Sequence, residues 1–116
     1  MKKQNKDFEQ FQREFKKRQQ QFGLLGCKCY FKHEPMEESF AEITIDRDNA
    51  TATVRLNSKL ETKDKPFANP VAHAKHEALH LLTGRLNNLA RSRFASSDEI
   101  YEAWEELVRK LEVLIP

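Results

Sequence analysis

Glycine and cysteine are scarce in this chain, with three and two residues among 116, and no apolar run approaches the roughly 18–20 residues that a membrane span needs. No membrane association is therefore expected. Cys27 and Cys29 are one residue apart, cannot build a disulfide framework, and are expected as thiols that leave the fold without a covalent staple. The opening twenty residues are rich in Lys, Gln and Glu and contain no apolar segment. No secretory leader is expected from them, and the expected location is cytoplasmic. Charge of one sign is also lacking, because 20 basic residues face 18 acidic ones, so bulk charge alone selects no polyanionic partner. A chain this short supports one core, and a single domain over residues 1–116 is expected.

Charge is nevertheless arranged in blocks. Residues 1–33 carry nine Lys or Arg against three Asp or Glu, and residues 97–116 carry two against six. A basic N-terminal helix is a route to nucleic acid, weighed against the solvated helix face that such charge ordinarily forms. Phe8, Phe11, Phe15 and Phe22 fall on one helical stripe between polar residues, and Gly23 follows as a C′ residue. The stripe is expected to close one side of a small core.

Three stretches have strand character: 24–32, 39–45 and 51–56. The third is the clearest, with Ala52, Val54 and Leu56 at period two. The polar run Asp46-Arg47-Asp48-Asn49 suits a hairpin between the second and third strands. A three-stranded, mostly antiparallel meander is the simplest arrangement. Asn69 and Pro70 then form a helix start, Gly84 is read as that helix's end, and a further helical stretch follows around Leu86 to Phe94. Ser96-Ser97-Asp98-Glu99 is a capping box before Ile100, Trp104, Leu107, Val108, Leu111 and Leu114, which are expected to pack inward.

The predicted second helix contains His76-Glu77-Ala78-Leu79-His80, an H-E-x-x-H motif. At about 100° per residue, both imidazoles project from one face and about 6 Å apart along the axis. Val71, Ala72, Ala74, Ala78, Leu79, Leu81 and Leu82 occupy the opposite side. Two neutral imidazoles one turn apart suit Zn²⁺, and Glu77 lies beside them, placed to take a proton from an activated water. A catalytic zinc needs a third protein ligand. His73 shares the face, but three ligands along one straight helix spread poorly around a tetrahedron. Among the acids of the final helix, Glu105 lies nearest the expected buried stripe, Glu102 and Glu106 point further outward, and Glu99 is engaged in its capping box.

This order of elements, with the segments His76 to Leu82 and Glu105 to Glu112, resembles the minigluzincins, the smallest soluble zinc metallopeptidases, and also small phage-encoded metallopeptidases. The resemblance implies an α+β zincin-like fold, with an N-terminal helix, a three-stranded sheet, the H-E-x-x-H helix and a final glutamate-bearing helix. It implies zinc as cofactor, peptide or protein as substrate, His76 and His80 as ligands, Glu77 as general base, and a final-helix glutamate, at Glu105, as third ligand. It also implies an edge strand that pairs with an extended peptide, a role for which the strand Ala52 to Leu56 is the candidate. Tyr101, Arg91 and Arg93 have the chemistry of an oxyanion stabiliser, with nothing in the spacing to choose among them. Cys27 and Cys29 share one strand face but lack a second pair, and read as small half-buried residues. Two further readings stand beside the peptidase: a metal-stabilised interaction module without turnover, and a nucleic-acid-associated protein using the basic N-terminal helix.

Overall fold

The phenylalanine stripe of the first helix decides where the core forms. In the computed structural model, which describes residues 2–114, α1 spans Lys2–Gln21 and buries Phe11 and Phe15, with Phe22 just beyond its end. Gly23 follows at φ +71°, the left-handed conformation that glycine adopts at little cost after a helix. The strands are β1 (Lys28–Glu34), β2 (Ala41–Asp46) and β3 (Thr51–Asn57). A short 3₁₀ turn at Lys65–Phe67 leads into α2 (Pro70–Arg91) and α3 (Ser97–Glu112). No helix among the described residues is long and apolar enough to cross a membrane.

The sheet has the order β1-β3-β2, with β3 parallel to β1 and antiparallel to β2. This corrects the expected meander: the sheet is mixed, and the third strand is its centre. The predicted hairpin between β2 and β3 is present. Its turn is held by Asp46, whose carboxylate accepts from the Asn49 backbone and side-chain amides at 3.3 and 2.8 Å, and Ala50 closes it at φ +53°.

A side chain far from β1 in sequence accounts for that strand's position. The chain between β1 and β2 must pass the end of β3, and there Asn57 is buried. Its Oδ1 accepts from the backbone of Met36 and Lys59 at 3.1 and 2.9 Å. Its Nδ2 donates to the carbonyls of Met36 and Ser39 at 3.0 and 2.9 Å. All four hydrogen-bonding positions of the amide are used, which is what a buried polar group requires. The connection is pinned across the end of the central strand.

Ala52, Val54 and Leu56 of β3 meet Phe11, Phe15 and Phe22 and, from α2, Ala74, Ala78, Leu81 and Leu82 in one hydrophobic cluster. Both helices thus cover one face of the sheet, and the other face carries Arg55, hydrogen-bonded to Glu34 and Thr44 at 2.9 and 3.2 Å.

Two expectations about the later helices are corrected. Helix α2 begins as predicted, with Asn69 Oδ1 accepting from Ala72 N at 3.1 Å and Pro70 in the first turn. It does not stop at Gly84 but runs on to Arg91 and absorbs the second helical stretch. Gly84 is small for a packing reason, because a Cβ there would lie 3.2 Å from Ile45 Cδ1 of β2. In α3 the capping box of Ser96 and Glu99 is formed, but the inward face is only partly the one expected. Ala103 is its buried residue, with Leu107 and Leu114 packed against the core, while Ile100, Trp104, Val108 and Leu111 are exposed.

Candidate functional site

His76 and His80 stand one turn apart on α2, and their rings face each other at 85° with centroids 4.7 Å apart. The two Nε2 atoms are 3.1 Å from one another, within hydrogen-bond distance, with donor and acceptor set by the tautomers of the two rings. Two imidazole nitrogens bound to one tetrahedral Zn²⁺ at about 2.05 Å would be roughly 3.3 Å apart. The separation matches that spacing, and the rings have only to turn so that both lone pairs converge on one point off the line between the nitrogens.

Glu77, the next residue round the helix, turns about 100° away from His76 and under β2. It is only 6% exposed. Burial pushes its carboxyl above the usual range, with the neighbouring imidazoles opposing that shift and Glu42 adding to it. All three residues line a cavity of about 730 Å³ whose other wall is β2, from Ala41 to Ile45. Because β3 is hydrogen-bonded on both sides, the strand Ala52 to Leu56 cannot accept an extended peptide. The free edge beside the histidines belongs to β2. That strand, not the third, is the candidate for strand addition.

Glu105 is not brought to the pair. It lies two residues after Ala103, about 200° round α3 from the packed face, and its nearest ion-pair partner is Arg109 on its own helix at 3.9 Å. Glu102 and Glu106 do reach α2, but at Arg85, which lies about 180° round that helix from His76. Helix α3 thus docks on the side of α2 away from the histidines. Among the described residues no group of three His, Cys, Asp or Glu side chains is placed to hold a metal ion. The histidine pair fits zinc; a three-ligand catalytic set does not close in this arrangement.

His73 leaves the pair as well. Its ring stacks on Phe40 at 4.7 Å and lines a second cavity of about 490 Å³ shared with Asp7 and His33. Its Nε2 is buried without a hydrogen-bond partner, and burial, with the charge of His76, lowers its pKa. Of the three candidate oxyanion groups, Tyr101 packs edge-on against Trp104 and Arg93 lies over Phe94. Only Arg91 lines the main cavity, about 16 Å along the helix from His80. Glu42, Arg47, Asn87 and Asn88, which also line it, were not singled out from the sequence. The alternation of Ala41, Ile43 and Ile45 would have turned Glu42 outward on β2, but the two asparagines carry no motif. Cys27 and Cys29 are half-buried thiols against the core, as expected.

No family model matches the chain, and no curated protein or solved structure matches it.

Proposed function

We propose that this chain is a zinc-dependent metallopeptidase of zincin-like architecture. One observation carries the reading: two exposed imidazole nitrogens 3.1 Å apart stand beside a buried glutamate, under the free edge of a strand. His76 and His80 would hold the ion. A zinc held there supplies a water of pKa near 7 and polarises a substrate carbonyl. Glu77 takes the proton of the attacking water and passes it to the leaving amine. The unpaired edge of β2 holds the peptide extended along the cavity through backbone hydrogen bonds. Glu105, which the resemblance implies as third ligand, faces away from the pair in this arrangement, so the two histidines are the ligands the proposal assigns and the third position is left to another donor.

The test is metal content and hydrolysis measured on the same preparations. Wild type and Glu77→Gln are expected to bind one zinc per chain, His80→Ala to bind none, and only wild type to cleave peptides. A wild-type chain that takes up no zinc overturns the reading. Glu105→Gln is expected to leave zinc affinity within about twofold, because the carboxylate faces away from the histidines and toward Arg109; a loss of about tenfold or more would place Glu105 in the ligand set.

The unclosed ligand set favours a second reading, a metal-stabilised interaction module. Its two histidines would take their remaining ligands from a partner, since structural zinc sites are four-coordinate. Retention of function in Glu77→Gln separates this module from the peptidase.

A further inference from the structure

The cavity extends well beyond the histidines. On α2 the residues His76, His80, Asn87 and Arg91 fall within about 60° of one another round the helix, a single stripe about 22 Å long. Strand β2 runs alongside in the same direction. Glu42 acts on Glu77 at one end, and three residues later Ile45 meets Gly84, with the Arg47 guanidinium beside the same glycine. Seven helical residues and three strand residues both advance about 10 Å, so the walls stay in step. The groove is therefore electrically polar: Glu77 lies at the catalytic end, near Glu42, which pairs with Arg55 at 3.7 Å, and its bases, Arg47 and Arg91, lie at the other.

Four of the eight arginines have a carboxylate partner among the described residues, and these two, like Arg13 and Arg93, are not among them. Arg18, Arg55, Arg85 and Arg109 each have a carboxylate within 4 Å. Among the described residues Arg47 and Arg91 have none, and the amides of Asn87 and Asn88 between them bond to no protein group. Two guanidiniums and two amides line this stretch of the groove with donors unused, Arg47 beside Gly84 and Arg91 about 10 Å further along α2. A carboxylate is the ligand whose oxygens match such donors, accepting charge-assisted hydrogen bonds from each.

We propose that Arg47 and Arg91, with Asn87 and Asn88, form a subsite for a carboxylate of an extended peptide, about three residues from the scissile bond. The inference rests on the peptidase reading and adds a substrate class to it, peptides with an acidic group at that spacing. The distance follows from the 10 Å between Glu77 and Gly84, which an extended chain covers in about three residues. A peptide antiparallel to β2 places its N-terminal side at the arginines, and the carboxylate is then an Asp or Glu side chain. A parallel one places its C-terminal side there, where a free C-terminus serves equally.

The experiment uses the full chain and a set of fluorescent twelve-residue peptides, each with one Glu in an otherwise neutral sequence, with free or amidated C-termini. Binding is followed by anisotropy with the Glu77→Gln variant, and cleavage by mass spectrometry with wild type. Glu-containing peptides are expected to bind about tenfold more tightly than their Gln counterparts. That advantage is expected to vanish in Arg47→Ser/Arg91→Ser and to shrink at high salt. Both arginines are exposed and unpaired, so the double variant is expected to keep its helical circular dichroism. Cleavage sites should lie about three residues from the Glu, and loss of the effect on amidation alone assigns the carboxylate to the C-terminus. Acid-dependent binding without cleavage sustains the subsite and removes the peptidase. Cleavage indifferent to acid, or a Glu preference that survives the double substitution, overturns the subsite and leaves the peptidase standing.

Discussion

Replacing Gly84 tests whether the spacing of β2 and α2, which shapes the groove, is set by the missing side chain. Gly84 lies inside α2, where alanine is favoured over glycine by about 0.8–1.0 kcal/mol. Against this stands the contact a Cβ would make with Ile45 Cδ1 at 3.2 Å, shorter than the 3.5–4.0 Å at which carbon atoms attract best. The listener to that strain is a terminal methyl on an edge strand, able to give by a few tenths of an ångström through its own rotamer. Gly84→Ala is therefore expected to stabilise by about 0.5 kcal/mol, a rise of roughly 2 °C in Tm for a domain of this size. Valine has a weaker helical preference, and its two Cγ atoms have no room against β2. Overpacking of this kind costs about 1–3 kcal/mol, so Gly84→Val is expected to lower Tm by roughly 4–10 °C. Thermal and urea unfolding of the metal-free chain, followed at 222 nm, reads both signs. A tolerated valine would show that β2 does not rest on Gly84; an alanine destabilising by more than 1 kcal/mol would show a contact that cannot yield.

Further outcomes follow from other parts of the fold. Asn57→Ala removes four side-chain hydrogen bonds of a buried amide to partly buried backbone groups of Met36, Ser39 and Lys59, so a loss of about 1–3 kcal/mol is expected in urea unfolding. Ala50 holds φ +53°, a conformation costing an L-residue about 1–2 kcal/mol; Ala50→Gly is expected to gain about 0.5 kcal/mol after glycine's greater unfolded entropy is counted, and a loss would contradict the strain. The Cys29 thiol is pushed up to about 12 from 9.0 by burial, then by the charge and hydrogen bond of Cys27. Its thiolate at pH 8 should be about a thousandfold scarcer than in the unfolded chain, and labelling by a disulfide reagent correspondingly slow. Because this pKa is raised on folding, its stabilising contribution is complete below about pH 8.5 and is lost as pH rises toward 12; unfolding at pH 7 and 10 checks the sign.

What could be read from the sequence is what short-range chemistry decides. Gly23 ends α1, Asn69 and Pro70 start α2, and Ser96 with Glu99 starts α3, because each signal acts on backbone groups within one turn of itself. The hairpin of β2 and β3 is legible for the same reason. Strand order was not, because it depends on Asn57 reaching back about twenty residues to Met36, and a buried asparagine looks in sequence like any loop residue. Gly84 misled because glycine serves equally as a cap and as a place of close approach, and only the position of Ile45 distinguishes the two. On α3 the bulky residues dominate the apolar pattern, yet the helix packs through Ala103. A small side chain permits close approach and carries little hydrophobic weight in a pattern.

The same division separates the parts of the candidate site. His76, Glu77 and His80 are fixed relative to one another by a single helix, so their spacing alone determines which rings meet and which carboxylate turns beneath the sheet. A third ligand depends on how α3 is rotated about its axis, a quantity set by packing. Had α3 docked through Ile100, Trp104, Val108 and Leu111, its rotation would differ by roughly 75° from the one observed, and Glu105 would lie about 105° from the centre of the interface instead of opposite it. The observed docking instead directs Glu102 and Glu106 to Arg85 and leaves Trp104 57% exposed. Exposed ion pairs contribute about 0–1 kcal/mol each, less than burying a large apolar side chain, so those pairs do not select this rotation. Close contact through Ala103 does, and the position of Glu105 is its consequence.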